Sequence, residues 1–398
     1  MHICGKIYSN GIQIEEVMVM KLLHTSDWHL GASEGERPLL EDQRFFIDEI
    51  CSVIKSRSVD AVLIAGDIYD RSLASAEAIK LYDYAMTKIC AELNVPTYII
   101  AGNHDSAERL SNCSELLQKS GLYIKGQLDS RISPVEIDDI QLYMLPWITE
   151  EKVKSVFSAR KDEIGSLIDA YNVVTDEMRK TFDPNKKHII LAHAFITDSE
   201  TSTSDRSAVI GLASQVPASV FDGFDYVALG HIHKPQDVTG SIRYSGTPMP
   251  YSFGKEERQT KSVTLIDTDT MEKEIIPIEL LHARTSFEGR LAELLHPNCT
   301  EEQRSGYVRL KVTDSHVGLE LLSELRSVYP NLLEVSGKNY EGENTSVTLT
   351  PEELEKLETD PMEVFRHFCN EEIGESPSEH FMELFRAAIK DCEEGKDR

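Results

Sequence analysis

DAVLIAGDIYD, residues 60–70, reads as a buried strand that breaks into carboxylates. Its first half is β-branched and aliphatic, about the length of one strand crossing a core, and the chain then turns at Gly66 to present Asp67 and Asp70. Four other stretches follow the same plan: LLHTSDWH (22–29), TYIIAGNHD (97–105), HIILAHAF (188–195) and YVALGHIH (226–233). Continuous apolar runs of this kind suit parallel strands buried on both faces, and α/β folds place their sites at the carboxyl ends of such strands. Seven side chains stand at those ends: Asp27, His29, Asp67, Asn103, His193, His231 and His233.

Two carboxylates, one amide and four imidazoles suit a pair of borderline divalent ions better than Mg²⁺, which prefers oxygen ligands. In extended chain, residues two apart face the same way, so Asp27 and His29 would reach one volume, as would His231 and His233. Two ions about 3.5–4 Å apart need a shared ligand. Asp67, with two oxygens, is the natural bridge. Asp27, His29 and His233 then complete one shell, and Asn103, His193 and His231 the other. Such a pair lowers the pKa of a bound water for in-line attack on phosphorus. His104 either positions Asn103 or, with Asp105 orienting its ring, protonates the leaving oxygen. The second reading is preferred. Arg71 and Lys234 are candidate substrate contacts, although Asp70 and Arg71 read equally well as a surface ion pair.

The remaining sequence sets bounds. A chain of 398 residues holds a large catalytic domain and at least one smaller unit. No run approaches the eighteen or more apolar residues of a membrane span. Seven cysteines without C-x-x-C pairs argue for reduced thiols in a cytoplasmic protein and against a disulfide framework or zinc finger. A net charge of −27 opposes phosphate backbones, so a nucleic-acid substrate would need a partner to supply much of the grip.

Apolar residues at helical spacing predict helices over 39–57, 76–93 and 107–120, which with the first three strands make a βαβ pattern. Residues 131–147 read as a strand pair and 150–181 as mainly helical. After His233, the stretches 242–248 and 262–269 read as an antiparallel continuation of a second sheet. Residues 1–19 fit the rest poorly, and Met20 is the expected natural start. A composition shift near 274–284 divides a catalytic domain, 20–275, from a small strand–helix–strand unit, 276–349. A tail, 350–398, carries three helix starts of one form, with Pro351, Pro361 and Pro377 each at the first helical position. Apolar stripes on its last two helices, including Phe365, Phe368, Phe381 and Phe385, would pack back or dock on a partner.

The ordered set D-x-H, GD, GNHD, H and GHIH resembles the calcineurin-like metallophosphoesterases. With HTSDWHLG, AGDIYDR and LGHIHKPQ it is most similar to their SbcD family of nuclease subunits, and the likeness covers everything from Met20 onward. The resemblance implies an α/β fold, a four-layer α/β/β/α sandwich with an α+β capping domain and a helical tail. It implies two Mn²⁺ ions on the seven side chains above, with His104 as the catalytic histidine. It also implies a double-strand exonuclease and hairpin-opening endonuclease of DNA replication, recombination and repair, working in an SbcCD complex. The partner would be an SbcC-type, SMC-like ATPase that controls access to duplex and hairpin DNA and receives the tail. Helices near 76–93 and 107–120 would form a homodimer within a two-plus-two heterotetramer.

Two other readings compete. A phosphoprotein phosphatase or small-molecule phosphodiesterase could use the same ligands, but Ser72 stands where phosphatases have glycine, and GNHD where they have GNHE. A scaffold that has lost its metals is opposed by the complete ligand set.

Overall fold

The computed structural model describes residues 20–34, 37–197, 199–202, 204–207, 215–315 and 319–337, with positions 362, 365, 366, 379 and 381–386 of the tail. The expected start at Met20 and the first tail helix concern residues outside this set. The chain divides into two compact units, 1–338 and 339–398.

Strands β1 (Lys21–Thr25), β2 (Ala61–Ile64), β3 (Thr97–Ile100) and β4 (Leu122–Lys125) pair in parallel. A second sheet is built from β5 (Val135–Ile137), β6 (Ile140–Leu145), β7 (Lys187–His193), β8 (Tyr226–Gly230), β9 (Gln236–Asp237) and β10 (Ile242–Tyr244), in the order β9-β10-β8-β7-β6-β5. The chain then returns to the first sheet. There β11 (Ser262–Asp267) lies antiparallel to β1, and β12 (Lys273–Pro277) lies outside it.

Successive residues of these strands face opposite sides and fill different cores. Leu22, Leu63 and Ile100 meet Ile189, Leu191 and Ala228 between the two sheets. Leu23, Val62 and Ile99 face α1 (Leu40–Arg57) and α2 (Ala76–Met86). Ile190, Val227 and Leu229 face α3 (Leu167–Arg179). Helix, sheet, sheet, helix is the four-layer order the resemblance implies.

Three local expectations need correction. The stretch 262–269 joins the first sheet, not the second, because β10 and β9 already cover the free side of β8 while β1 still has an open edge. The stretch beginning at Ile242 pairs with β8 in parallel rather than antiparallel. No single helix spans 107–120: short helices at Ala107–Leu110 and Ser114–Leu117 are separated by Cys113 at φ +58°. Ser111, Asn112 and Ser114, whose short polar side chains compete with helical bonding, surround that break. The neighbouring helix continues as expected, α2 passing directly into a π-helical turn over Thr87–Glu92.

The capping unit holds one strand more than expected. Strands β13 (Arg284–Gly289), β14 (Tyr307–Val312) and β15 (Leu332–Ser336) form a parallel sheet, with helix α4 (Leu319–Val328) between the last two. Since β12 runs to Pro277, the linker between catalytic and capping sheets is 278–283. The capping unit is anchored on α1: the Tyr307 hydroxyl donates to Asp42, whose other oxygen lies 3.0 Å from His282 Nδ1. In the tail unit, Phe365 and Phe385 stack at 4.1 Å and Met382 is buried.

The two sheets come close together where β2 and β8 end. A Cβ added at Gly230 would stand 1.8 Å from the Ala65 carbonyl oxygen. Gly230→Ala is therefore expected to destabilise the fold by about 3 kcal/mol, the upper range of overpacking costs. Urea unfolding checks this; an unchanged midpoint would mean that the sheets separate freely here.

Candidate metal centre

The loops after β1 and β2 run side by side, with Asp27 N–H donating to Gly66 O at 3.0 Å and His29 N–H to Asp67 O at 3.0 Å. Asp27, His29, Asp67 and His231 adopt φ of +53°, +43°, +50° and +103°. Left-handed backbone at non-glycine residues costs energy and gathers at working sites. It also corrects the extended-chain argument for the D-x-H and H-x-H pairs. Their side chains converge because the backbone coils, not because it is straight. Gln43 of α1 braces the first loop, donating to His29 O at 2.7 Å and accepting from Gly31 N–H at 2.9 Å. The loop after β3 packs equally tightly, since a Cβ at Gly102 would lie 2.2 Å from Asp67 Oδ1.

All seven candidate side chains gather in one cluster, and His29, Asp67, Asn103, His231 and His233 line a cleft over it. Ligand atoms of Asp27, His29 and His233 lie within 4.8 Å of one another, as do those of Asp67, His193 and His231. Asn103 Oδ1 joins the second group, 3.0 Å from His193 Nε2 and 2.8 Å from His231 Nδ1. Asp67 Oδ2 stands between the groups, 3.8 Å from His29 Nε2 and 3.4 Å from His193 Nε2.

This donor set fits divalent cations. His29 Nε2 and His233 Nε2 face each other at 3.1 Å, and His231 Nδ1 lies 3.2 Å from His193 Nε2. Asp27 Oδ2, His29 Nδ1 and His231 Nε2 are buried without a hydrogen-bond partner. Lone pairs brought together at such distances call for positive charge. Burial lowers the pKa of His29 to about 4 and of His231 to about 3, and puts His233 well below the ordinary histidine value. These are neutral imidazoles, the form that ligates. Burial raises Asp27 to about 7. At His193 burial opposes charge, but Asp67 outweighs it and raises the value to about 9, while Asp67 itself is held far below the usual range. The His193 imidazolium therefore faces an ionised Asp67 carboxylate at 3.4 Å, where a cation would place its charge.

The structure separates the remaining candidates. His104 stands at the cleft, its N–H donating to Asp67 Oδ1 at 2.9 Å. Its ring is not oriented by Asp105, as expected, but by the Asp70 carbonyl, 2.8 Å from Nδ1. The Asp105 carboxylate is turned the other way, accepting from the N–H groups of Ile68, Tyr69 and Gly102 at 3.1, 3.0 and 2.9 Å. It clamps the second and third loops together, so Asp105 is a positioning residue. Asp105→Ala orphans three N–H groups and is expected to cost about 3 kcal/mol, about 1 for each. Thermal unfolding tests this, and a loss below about 1 kcal/mol would mean that water replaces the clamp. Arg71 is 80 % exposed and 3.4 Å from Asp70, and Lys234 pairs with Glu200. Neither lines the cleft.

Sequence reasoning missed the groups that hold the ligands. Trp147 stacks on His231 with ring centres 5.1 Å apart. Ser204, Asp205, Glu256 and Lys261 surround His233. They sit on loops and short 3-10 turns with no motif spacing, and two of them hold backbone atoms of His233, which leaves no pattern to read.

Two family models match the chain: the calcineurin-like phosphoesterases over residues 20–235, and the type 5 capsule protein repressor C-terminal domain over 279–372. The SbcD subunit of nuclease SbcCD from Staphylococcus epidermidis is 33 % identical over 322 residues, 80 % of this chain and 85 % of that protein. This chain belongs to the SbcD family of calcineurin-like phosphoesterases. The protein of the same name from Staphylococcus saprophyticus is 31 % identical over 360 residues, 89 % of this chain and 94 % of that protein. As a member of this family the chain is a hydrolase acting on ester bonds. Among the described residues no helix is long and apolar enough to cross a membrane.

Proposed function

We propose that this chain is the nuclease component of an SbcCD-type complex and hydrolyses phosphodiester bonds of duplex and hairpin DNA with two Mn²⁺ ions. The observation that carries the reading is the meeting of Asp27, His29 and His233 with Asp67, Asn103, His193 and His231 across Asp67 Oδ2. One group would hold each ion, with Oδ2 as the shared ligand, since Oδ1 already accepts the His104 N–H. Bound there, the cations would acidify a water and offset phosphate charge.

The chain's own residues supply the rest. His104, fixed through Nδ1 by the Asp70 carbonyl, turns Nε2 to the cleft and as the protonated ring donates to the leaving oxygen. The Asp105 clamp holds His104 in register with Asp67. Tyr251, lining the same cleft, packs edge-on to His29 with centroids 5.6 Å apart and restricts that ring.

The net charge of −27 supports an ATPase partner that presents the basic DNA surface. Exposed Phe381 and Leu384 in the tail unit (350–398 as read from the sequence) suit docking on that partner. Leu73, Ile79 and Leu116 are exposed on and beside the segments assigned to a homodimer, and they support a two-plus-two assembly. Residues 20–275 would carry catalysis and 276–349 the cap. The test is cleavage of a linear duplex and a closed hairpin with Mn²⁺, with and without the SMC-like partner and ATP. Cleavage that needs Mn²⁺ and rises with the partner is expected. No DNA cleavage beside turnover of a small chromogenic diester would move the substrate to small phosphodiesters.

A further inference from the structure

We propose that Ser204 and Glu256 form a positioning relay that holds His233 as the Nδ1–H tautomer, with Nε2 turned into the cleft to ligate a divalent cation. This rests on the metal-site reading above and adds to it the residues that decide which nitrogen is offered. Neither Ser204 nor Glu256 belongs to the five strand-end motifs, and Glu256 lies between the stretches matched by the two family models.

Counting protons assigns the tautomer. Ser204 Oγ lies 2.6 Å from His233 Nδ1 and is also hydrogen-bonded to Glu256 Oε1. Glu256 is 1 % exposed, and three further donors converge on it: Tyr251 N–H at 2.8 Å, Ser252 Oγ at 3.0 Å and Lys261 Nζ at 3.3 Å. A carboxyl group surrounded by donors is an ionised acceptor and has no proton to give. The single Ser204 proton therefore goes to Glu256, and Ser204 Oγ accepts from His233 Nδ1–H. Nε2 is left with its lone pair, directed at His29 Nε2 3.1 Å away. The hydrogen bond made by one ring nitrogen decides what the other can ligate.

The backbone of His233 is held by the same buried charges. Its N–H donates to Asp205 Oδ1 at 3.0 Å, and its carbonyl accepts from Lys261 Nζ at 3.2 Å. Lys261 is 1 % exposed, and burying its ammonium is costly unless each proton is placed. Its other partners include Thr247 Oγ1 at 2.8 Å and Glu256. One buried cluster thus fixes both the main chain and the ring of a single residue.

Glu256→Gln reverses the order of donors. With its NH₂ towards Ser204 the serine loses the acceptor of its proton, which is then released to Nδ1 and favours the ring proton on Nε2. With the amide turned over, NH₂ meets Lys261 and the Tyr251 N–H, both donors. Ser204→Ala acts more mildly, because Asp205 Oδ1 is 3.4 Å from Nδ1 and can take the proton in part. Ser204→Thr keeps the hydroxyl.

Mn²⁺ titration calorimetry on the full chain, with circular dichroism as a check of folding, reads the effect without activity. Wild type is expected to bind two ions. Glu256→Gln should bind one of them about 10–100-fold more weakly, the usual cost of losing an outer hydrogen-bond partner. Ser204→Ala should lose less and Ser204→Thr nothing. In metal-free protein labelled with ¹⁵N-histidine, the His233 ring should report Nδ1–H. Two ions bound at wild-type affinity by Ser204→Ala and Glu256→Gln alike, or an Nε2–H signal at His233, would overturn the relay alone. Wild-type protein that takes up no Mn²⁺ would overturn the metal-site reading and the relay with it.

Discussion

Asp67→Asn is expected to reduce turnover about 10³-fold or more and to cost the protein both ions. Asp67 Oδ2 stands between the two candidate ligand groups, 3.8 Å from His29 Nε2 and 3.4 Å from His193 Nε2, and its negative charge would offset part of the four positive charges two divalent ions would bring. The amide keeps the shape and the Oδ1 contact to the His104 N–H, so the backbone should survive. It removes the negative charge that would let two cations lie side by side. Several kcal/mol of transition-state stabilisation depend on them, and each 1.36 kcal/mol is a factor of ten in rate. Metal analysis beside a diester assay checks the prediction. A variant that keeps two ions and more than a tenth of wild-type turnover would remove Asp67 from the centre of the site.

His104→Ala is expected to lower turnover about 10²–10⁴-fold, the range for a lost general acid, while both ions stay bound. Its ring contacts the site from the rim, T-shaped to His29 at 4.8 Å, and its own Nδ1 is spent on the Asp70 carbonyl. His104 also clusters with His29 and Asp70, ligand atoms within 4.8 Å of one another, so metal analysis of the variant is part of the test. A diester whose leaving group needs no proton separates the roles: the variant should recover most of its rate on an activated aryl ester. Equal loss on both substrates, or loss of metal, would make His104 structural.

The five apolar runs were readable because a strand buried on both faces leaves no choice of residue type. The polar ends stood out for the same reason, since a polar group within such a run needs a buried partner, as His24 finds in the Tyr226 hydroxyl 3.0 Å away. Helix α1 showed its buried stripe of Phe46, Ile47, Ile50 and Ile54. Legibility ended where tertiary packing outweighs local pattern. The break at Cys113 depends on a backbone turn that a helical apolar count cannot register. The placement of β11 depends on which sheet has a free edge, a property of the whole topology. Asp105 was assigned to the nearest histidine, yet three N–H donors from two loops attract it more strongly than one ring does. Ser204, Glu256 and Lys261 reach His233 across long stretches of chain, and the pattern of a sequence holds no trace of such distances.

The seam between the two sheets has a consequence for how the protein matures. Asp27, His29, Asp67 and Asn103 follow strands of the first sheet, while His193 ends one strand of the second and His231 and His233 follow another. Each proposed ion draws on both, so half a chain emerging from synthesis has no place to load one. An ion that enters after the halves close would act as a rivet between them, binding only the finished fold and so stabilising it. Chelation should then loosen the sandwich along its midline before it unravels either sheet, and a newly made enzyme would remain silent until the strand that leads into His231 and His233 had joined the second sheet.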